Sequence, residues 1–77
     1  MKILLVEDEQ KIADFICEGL RAKGFTMTHC HNGHQGYDVA KAQTFDVIIL
    51  DIMLPGRDGL SILQSLRQQG NSTPIIL

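Results

Sequence analysis

The sequence predicts an α/β fold in which a parallel sheet is covered by helices on both faces. Short apolar runs alternate with segments whose apolar residues recur at helical spacing, a rhythm typical of parallel sheets joined by helices. The run before Asp51 lacks polar alternation, which is typical of a strand buried on both faces. Gly24 and Gly70 follow two of the helical segments, where helices commonly end.

The first half of the chain is expected to contain two strands and two helices. Asp8 is a candidate cap for the first helix. The strands are predicted from Lys2 to Val6 and from Phe25 to Cys30, and the helices from Glu9 to Lys23 and from about His34 to Gln43. The stripe of the first helix that we expect to face the core consists of Ile12, Phe15, Ile16 and Leu20.

The second half is expected to contain a central strand, a helix and the start of a fourth strand. Asp58 is a candidate cap for the helix, and Pro74 opens the last strand, where a missing N–H is tolerated. The elements are predicted from Asp46 to Leu50, from Asp58 to Gln69 with Leu60, Leu63 and Leu66 at helical spacing, and from Pro74 to Leu77. The aromatic residues expected in or beside the core are Phe15, Phe25, Tyr37 and Phe45.

Composition excludes several classes of function. A net charge of -2 over 77 residues gives no general attraction to nucleic acid or anionic lipid, so we expect neither a nucleic-acid contact from this segment nor a membrane partner. The N-terminus does not resemble a signal peptide, so we expect a cytoplasmic protein. Cys17 and Cys30 have no CxxC spacing and are expected to be buried free thiols, with a disulfide the less favoured interpretation.

Acidic residues follow two strands that are expected to be parallel. Glu7 and Asp8 follow the first strand, and Asp51 follows the third. Because the carboxyl ends of parallel strands lie at one edge of the sheet, these carboxylates can meet in the crevice where such sheets bind ligands. Clustered carboxylate oxygens suit Mg²⁺, and an Asp carboxylate beside Mg²⁺ can act as a nucleophile toward a phosphoryl group.

Each acidic residue also has a purely structural interpretation. Glu7 and Asp8 precede a helix, where acids favourably meet the helix dipole, and Asp51 precedes a Pro-Gly turn. Their expected convergence favours a site over these separate roles. His29, Cys30, His31 and His34 fit no standard zinc spacing, so we expect surface histidines there.

Two other α/β functions lack their motifs. An Asp-x-Asp phosphatase would need an acid where Met53 stands. A dinucleotide-binding domain would need a glycine-rich turn where the acidic residues from Glu7 to Glu9 stand.

Two segments resemble the receiver domain of two-component response regulators. They read ILLVEDE over residues 3–9 and DVIILDIMLPGRDG over residues 46–59, and the resemblance includes the Asn32-Gly33 loop and the strand that follows Thr73. It is greatest with the winged-helix transcription-factor branch. The resemblance implies a flavodoxin-like parallel sheet of order 2-1-3-4-5, of which this chain supplies 2-1-3-4.

The resemblance also implies roles for individual residues. Asp51 would accept a phosphoryl group from a sensor histidine kinase, and Asp8 would bind Mg²⁺ directly. Glu7 would act mainly through metal-bound water, and the backbone carbonyl of Met53 would complete the ligands. Pro55 and Gly59 would shape the loop after Asp51. Such a domain is not a conventional enzyme and at most catalyses its own phosphorylation.

Receiver domains continue beyond the point that corresponds to Leu77, so we expect residues 1–77 to be the N-terminal part of one domain. Members of the family carry a Ser or Thr and a Lys in that continuation, and Thr73 lies on the order of 13 Å from the pocket. We therefore expect impaired phosphorylation. We also expect the fourth strand to be an apolar edge that favours a homodimer or a swapped oligomer.

A different class of function remains open at this point. The chain could be a truncated or engineered half-domain without signalling activity, acting only as a folding or association unit.

Overall fold

The computed structural model describes residues 1–77 as three helices packed against one four-stranded sheet. The strands are β1 (Lys2–Val6), β2 (Thr26–Cys30), β3 (Val47–Leu50) and β4 (Ile75–Ile76), and the helices are α1 (Gln10–Ala22), α2 (Gly33–Ala42) and α3 (Gly59–Gln68). All strand pairs are parallel, in the order β2-β1-β3-β4. The predicted fold class and strand order are confirmed.

The predicted elements are all present, and each end lies within one residue of its predicted position. Gly24 and Gly70 end α1 and α3 with φ angles of 90° and 79°. This left-handed conformation is open to glycine without steric cost, so both helices stop where the sequence indicated.

The core is divided between the two faces of the sheet. On one face, Leu4 and Val6 of β1 pack with Ile48 and Leu50 of β3 beneath α2 and α3. On the other face, Ile3, Leu5 and Met27 pack with Ala13 and Cys17 of α1. Strand β1 is therefore buried on both faces, which is why its sequence is an unbroken apolar run.

The orientation of α1 differs in part from the prediction. Ile16 and Leu20 are half-buried and pack against the core as predicted. Ala13 and Cys17, four residues apart, face the sheet, whereas Phe15 is 80% exposed and Ile12 is also exposed. Small side chains on the buried face let the helix approach the strands closely, and Phe15 then points away from them. The prediction of Phe15 as a core residue was wrong, while Phe45 is buried and Phe25 and Tyr37 are half-buried as expected.

The buried face of α3 also differs in part. Ile62 and Leu66 are fully buried and Leu63 is half-buried, but Leu60 is exposed. Leu60 lies in the first turn, where it lines a surface groove with the loop that precedes α3, so helical spacing alone does not bring it into the core.

Two of the three helices have side-chain caps. Asp58 Oδ1 accepts a hydrogen bond from the backbone N–H of Ser61 at 2.8 Å, which confirms the predicted cap of α3. Asn32 caps α2 in the same way through Gln35. The predicted Asp8 cap of α1 was wrong, because the N-cap residue is Glu9 and its side chain makes no capping bond.

None of the three helices combines the length and apolarity that are needed to cross a bilayer.

Candidate metal centre

The pairing of β1 with β3 determines where the acidic residues leave the sheet. Val6 lies opposite Leu50, so the residues that follow them, Glu7 and Asp51, emerge side by side. The Asp51 N–H donates to the Val6 carbonyl at 3.2 Å, and the Glu7 N–H donates to the Cys30 carbonyl at 3.1 Å. Both residues are thus still held by neighbouring strands at the point where their side chains enter the crevice.

The structure brings Glu7, Asp8 and Asp51 together. One carboxylate oxygen from each lies within 4.8 Å of the other two, and Glu7 and Asp51 are half-buried while Asp8 is exposed. Two of these residues are adjacent in sequence and the third follows a different strand. The convergence predicted from the two strand ends is therefore present in the fold.

Backbone N–H groups fix two of the three carboxylates. Glu9 N–H donates to Glu7 Oε2 at 3.0 Å, and Met53 N–H donates to Asp51 Oδ1 at 3.1 Å. Each bond reaches forward two residues, a local turn that orients the side chain without a basic partner. The Glu7 bond lies just before α1, because Glu9 is the N-cap residue of that helix.

No basic side chain neutralises this cluster. The ion pair in the molecule joins Lys41 to Asp38 on α2, and the guanidinium of Arg57 bonds to Ser61 and Ser65. Three anionic oxygens in one crevice repel one another unless a cation lies among them. Oxygen-only ligands of this kind fit Mg²⁺ and give no nitrogen or sulfur ligand for a softer metal.

The loop after β3 forms the outer side of the crevice. A shallow groove there is lined by Asp8, by residues 52–55, and by Asp58 and Leu60. The Met53 side chain is exposed, and its backbone N–H holds Asp51. The Pro55 carbonyl accepts the N–H of Gly33 at 2.9 Å, which ties this loop to the start of α2.

Gly59 allows α3 to begin directly against the residue that carries the carboxylate. Its N–H donates to the Ile52 carbonyl at 2.9 Å, and a Cβ at this position would lie 2.4 Å from the Asp51 carbonyl oxygen. The close approach closes the loop over the crevice. A side chain at position 59 would therefore clash with the backbone of Asp51.

Two contacts near the site were not anticipated from the sequence. His29 lies at the end of β2 with Nε2 2.8 Å from the Glu7 carbonyl oxygen, so it is half-buried rather than a surface histidine, unlike His31 and His34. Arg57 reaches along α3 to Ser61 and Ser65. The spacing of these serines, four and eight residues after Arg57, is the sequence signal that could have indicated the second contact.

Cys17 and Cys30 are buried free thiols, as predicted. Burial raises the pKa of the Cys30 thiol. The thiols lie on opposite faces of the sheet and take no part in the acidic cluster.

Comparison with known proteins decides the family. A model of the response regulator receiver domain matches residues 3–77. The chain belongs to the response regulator receiver family. The probable transcriptional regulatory protein SilR of Salmonella typhimurium and the transcriptional regulatory protein CusR of Escherichia coli K12 are each 43% identical to it over 77 residues. The alignment covers the whole chain but 34% of either relative, so this receiver chain spans about a third of their length.

Solved receiver structures share the fold. The receiver domain of the Francisella response regulator 1452 superposes with a TM-score of 0.93 at 35% identity, over 96% of this chain and 61% of that one. The response regulator TrrA of Thermotoga maritima, solved with Mg²⁺ and BeF, gives 0.92 at 32% identity, over 99% and 66%. TrrA in complex with the histidine kinase ThkA gives 0.87 at 30% identity, over 96% and 64%.

Proposed function

We propose that this receiver chain accepts a phosphoryl group on Asp51, with Mg²⁺ held by the same acidic cluster. The observation that carries the proposal is the convergence of Glu7, Asp8 and Asp51 within 4.8 Å at the carboxyl edge of the sheet, without a basic partner. A bound Mg²⁺ would neutralise charge on the transferring phosphoryl oxygens. The non-signalling half-domain has no observation of its own in its favour.

The two carboxylate oxygens of Asp51 differ in their hydrogen bonding. Oδ1 accepts the Met53 N–H, which fixes the plane of the carboxylate, and Oδ2 makes no hydrogen bond to the protein. An oriented oxygen with free lone pairs can attack phosphorus. In that step a P–O bond to Asp51 forms as the bond from phosphorus to the donor breaks, and the leaving group departs on the opposite side.

The remaining residues divide into metal ligands and loop residues. We infer that Asp8, the exposed member of the cluster, binds the metal directly, that Glu7 acts mainly through metal-bound water, and that the Met53 backbone carbonyl completes the protein ligands. Pro55 and Gly59 shape the loop after Asp51, through the Pro55 bond to α2 and the close approach of Gly59.

We infer that the donor is a sensor histidine kinase and that the output is control of transcription. The complex of TrrA with the kinase ThkA supports the donor, and the transcriptional regulators SilR and CusR support the output. A protein of this kind would work in the cytoplasm and would be a signalling module rather than a conventional enzyme.

The proposal is tested by intact-mass measurement after incubation with acetyl phosphate and Mg²⁺. A fraction of the protein should gain the mass of one phosphoryl group, in keeping with the impaired phosphorylation expected from the sequence, and Asp51→Asn should show no gain. Asp58→Asn is the matched control, because Asn retains the cap of α3 and changes one carboxylate beside the same loop. A gain that survives in Asp51→Asn, or no gain in the unsubstituted protein, would contradict the proposal.

We also infer that residues 1–77 are the N-terminal part of a single receiver domain. The coverage of 61% and 66% of the solved receiver chains supports this inference.

We infer further that the chain self-associates through β4 as an edge-paired or swapped dimer. Strand β4 lies at the edge of the sheet with one side unpaired, and its residue Ile76 is 57% exposed, which supports this inference.

Light scattering across a concentration series tests the association. We expect the average mass to rise with concentration and to remain monomeric in Ile76→Lys, since a charged side chain on an edge strand disfavours pairing. A monodisperse monomer at high concentration would refute this inference.

A further inference from the structure

The imidazole of His29 lies beside the acidic residues that follow β1. Its Nε2 is 2.8 Å from the backbone carbonyl oxygen of Glu7, and the side chain is half-buried. Because a carbonyl oxygen can only accept a hydrogen bond, Nε2 carries a hydrogen and donates it. The bond therefore joins the end of β2 to the segment that carries two of the three carboxylates.

The Glu7 carbonyl has no other protein partner. Pairing of β1 with β2 extends one residue past Val6, through the Glu7 N–H and the Cys30 carbonyl, and stops there. No backbone N–H donates to the Glu7 carbonyl. His29 thus supplies from a side chain the hydrogen bond that the strand no longer provides.

The carbonyl that His29 holds belongs to the peptide group between Glu7 and Asp8. The Glu7 carboxylate accepts a hydrogen bond from the Glu9 N–H, but the Asp8 carboxylate accepts none from the protein. The direction of the Asp8 side chain therefore depends on the plane of the peptide that precedes it. Holding that plane restricts the directions in which the Asp8 side chain can point relative to Asp51, which its φ and χ1 angles then select.

We infer that His29 is a positioning residue for the metal centre, which holds the Glu7–Asp8 peptide so that both carboxylates face Asp51. The inference rests on the proposed function, because it assigns His29 a role in Mg²⁺ binding. His29 does not itself touch the metal in this role. Neither the strand pattern nor the acidic motif of the sequence indicates it.

The test compares the Mg²⁺ affinities of matched variants by isothermal titration calorimetry at one fixed pH. His29→Gln retains an N–H donor at similar reach, and His29→Met has similar length without a donor. We expect roughly three- to tenfold weaker binding in His29→Met and near-normal binding in His29→Gln. His29→Leu is a second variant without a donor, in case the Met variant does not fold.

His31→Met is the control for ring contacts. The rings of His29 and His31 lie 4.3 Å apart between centroids, so both Met variants remove this contact, but only one removes the bond to Glu7. Urea unfolding of each variant reports global stability separately. We expect His31→Met to bind Mg²⁺ like the unsubstituted protein.

Three results would overturn the inference: unchanged affinity in a folded His29→Met, equal weakening in His29→Met and His29→Gln, or equal weakening in His29→Met and His31→Met. The failure of the proposed function is distinguishable from these. If the proposed function were wrong, the unsubstituted protein would itself show no Mg²⁺ binding and no phosphorylation of Asp51. The positioning role of His29 would then be refuted as well.

Discussion

Gly59 is in contact with the backbone of the proposed phosphoacceptor. A methyl group there would meet the Asp51 carbonyl oxygen at 2.4 Å and its carbonyl carbon at 3.1 Å. Backbone atoms held by the sheet cannot move aside as a flexible side chain can, so the start of α3 would have to shift.

We predict that Gly59→Ala lowers the free energy of unfolding by about 1 to 3 kcal/mol, through overpacking of a closed contact. Gly19→Ala is the matched control, because Gly19 is exposed on α1 with nothing within 4 Å of the added methyl. That control should raise stability by about 0.5 to 1 kcal/mol. Urea denaturation measures both, and a neutral or stabilising Gly59→Ala would refute the close approach.

For individual residues, the sequence predicted the convergence of the acidic side chains more accurately than the hydrogen bonds of the residues around them. Glu7, Asp8 and Asp51 follow strand ends, and the geometry of parallel strands then brings them together. The role of His29 depends on the orientation of one carbonyl group, which no local pattern encodes. The predicted cap at Asp8 had the right residue type, but α1 begins one residue later than a cap at Asp8 requires, so Glu9 is its N-cap residue.

Arg57 connects the loop after β3 to both α2 and α3. Its guanidinium lies 4.2 Å from the centre of the Tyr37 ring on α2, and it donates to the Ser61 hydroxyl at 2.9 Å and to the Ser61 carbonyl at 3.1 Å. A planar guanidinium can stack and donate at the same time, which an ammonium group cannot reproduce. These contacts join the end of the loop to both helices.

We predict that Arg57 and Tyr37 are energetically coupled by about 0.5 to 2 kcal/mol, the range from an exposed to a desolvated cation–π contact, because both side chains are half-buried. Urea unfolding of Arg57→Ala, Tyr37→Leu and the double variant gives the coupling. Arg21 of α1 is a suitable control, since its replacement should be additive with Tyr37→Leu. Additivity of the Arg57 and Tyr37 substitutions would contradict the stacked contact.

Element types and ends were predictable because glycine stops, the Asp58 cap and apolar runs are local signals. The face of α1 that contacts the sheet was not predictable in the same way, because the helix has two candidate faces. The large residues Ile12 and Phe15 suggested one face, but Ala13 and Cys17 allow closer contact with the strands. Helical spacing of apolar residues predicts that a helix forms. Which of its faces contacts the sheet is determined by how closely the side chains can pack.

The molecule as a whole has two cores of different size on the two faces of the sheet. Two helices cover one face, whereas α1 alone covers the other. Phe45 packs within the larger core and is 4% exposed, while Phe15 projects from α1 away from either core. The two phenylalanines therefore contribute unequally to stability.

We predict that Phe45→Ala lowers the free energy of unfolding by about 3 to 5 kcal/mol, the usual cost of truncating a buried phenylalanine. Phe15→Ala should change it by less than about 0.5 kcal/mol, as is usual for surface positions. Chemical denaturation at low protein concentration measures the pair without contributions from association. A large loss in Phe15→Ala would show that this side chain is buried.

The central claim concerns the whole sheet, since it requires two strands to deliver three carboxylates to one cation. The direct measurement is a Mg²⁺ titration followed by amide chemical shifts in NMR spectra. We expect the largest changes at Glu7, Asp8 and Asp51 with one dissociation constant, and weaker binding in Asp8→Asn and Asp51→Asn but not in Asp58→Asn. Shifts centred elsewhere, or unaltered affinity in Asp8→Asn and Asp51→Asn, would contradict a shared metal centre.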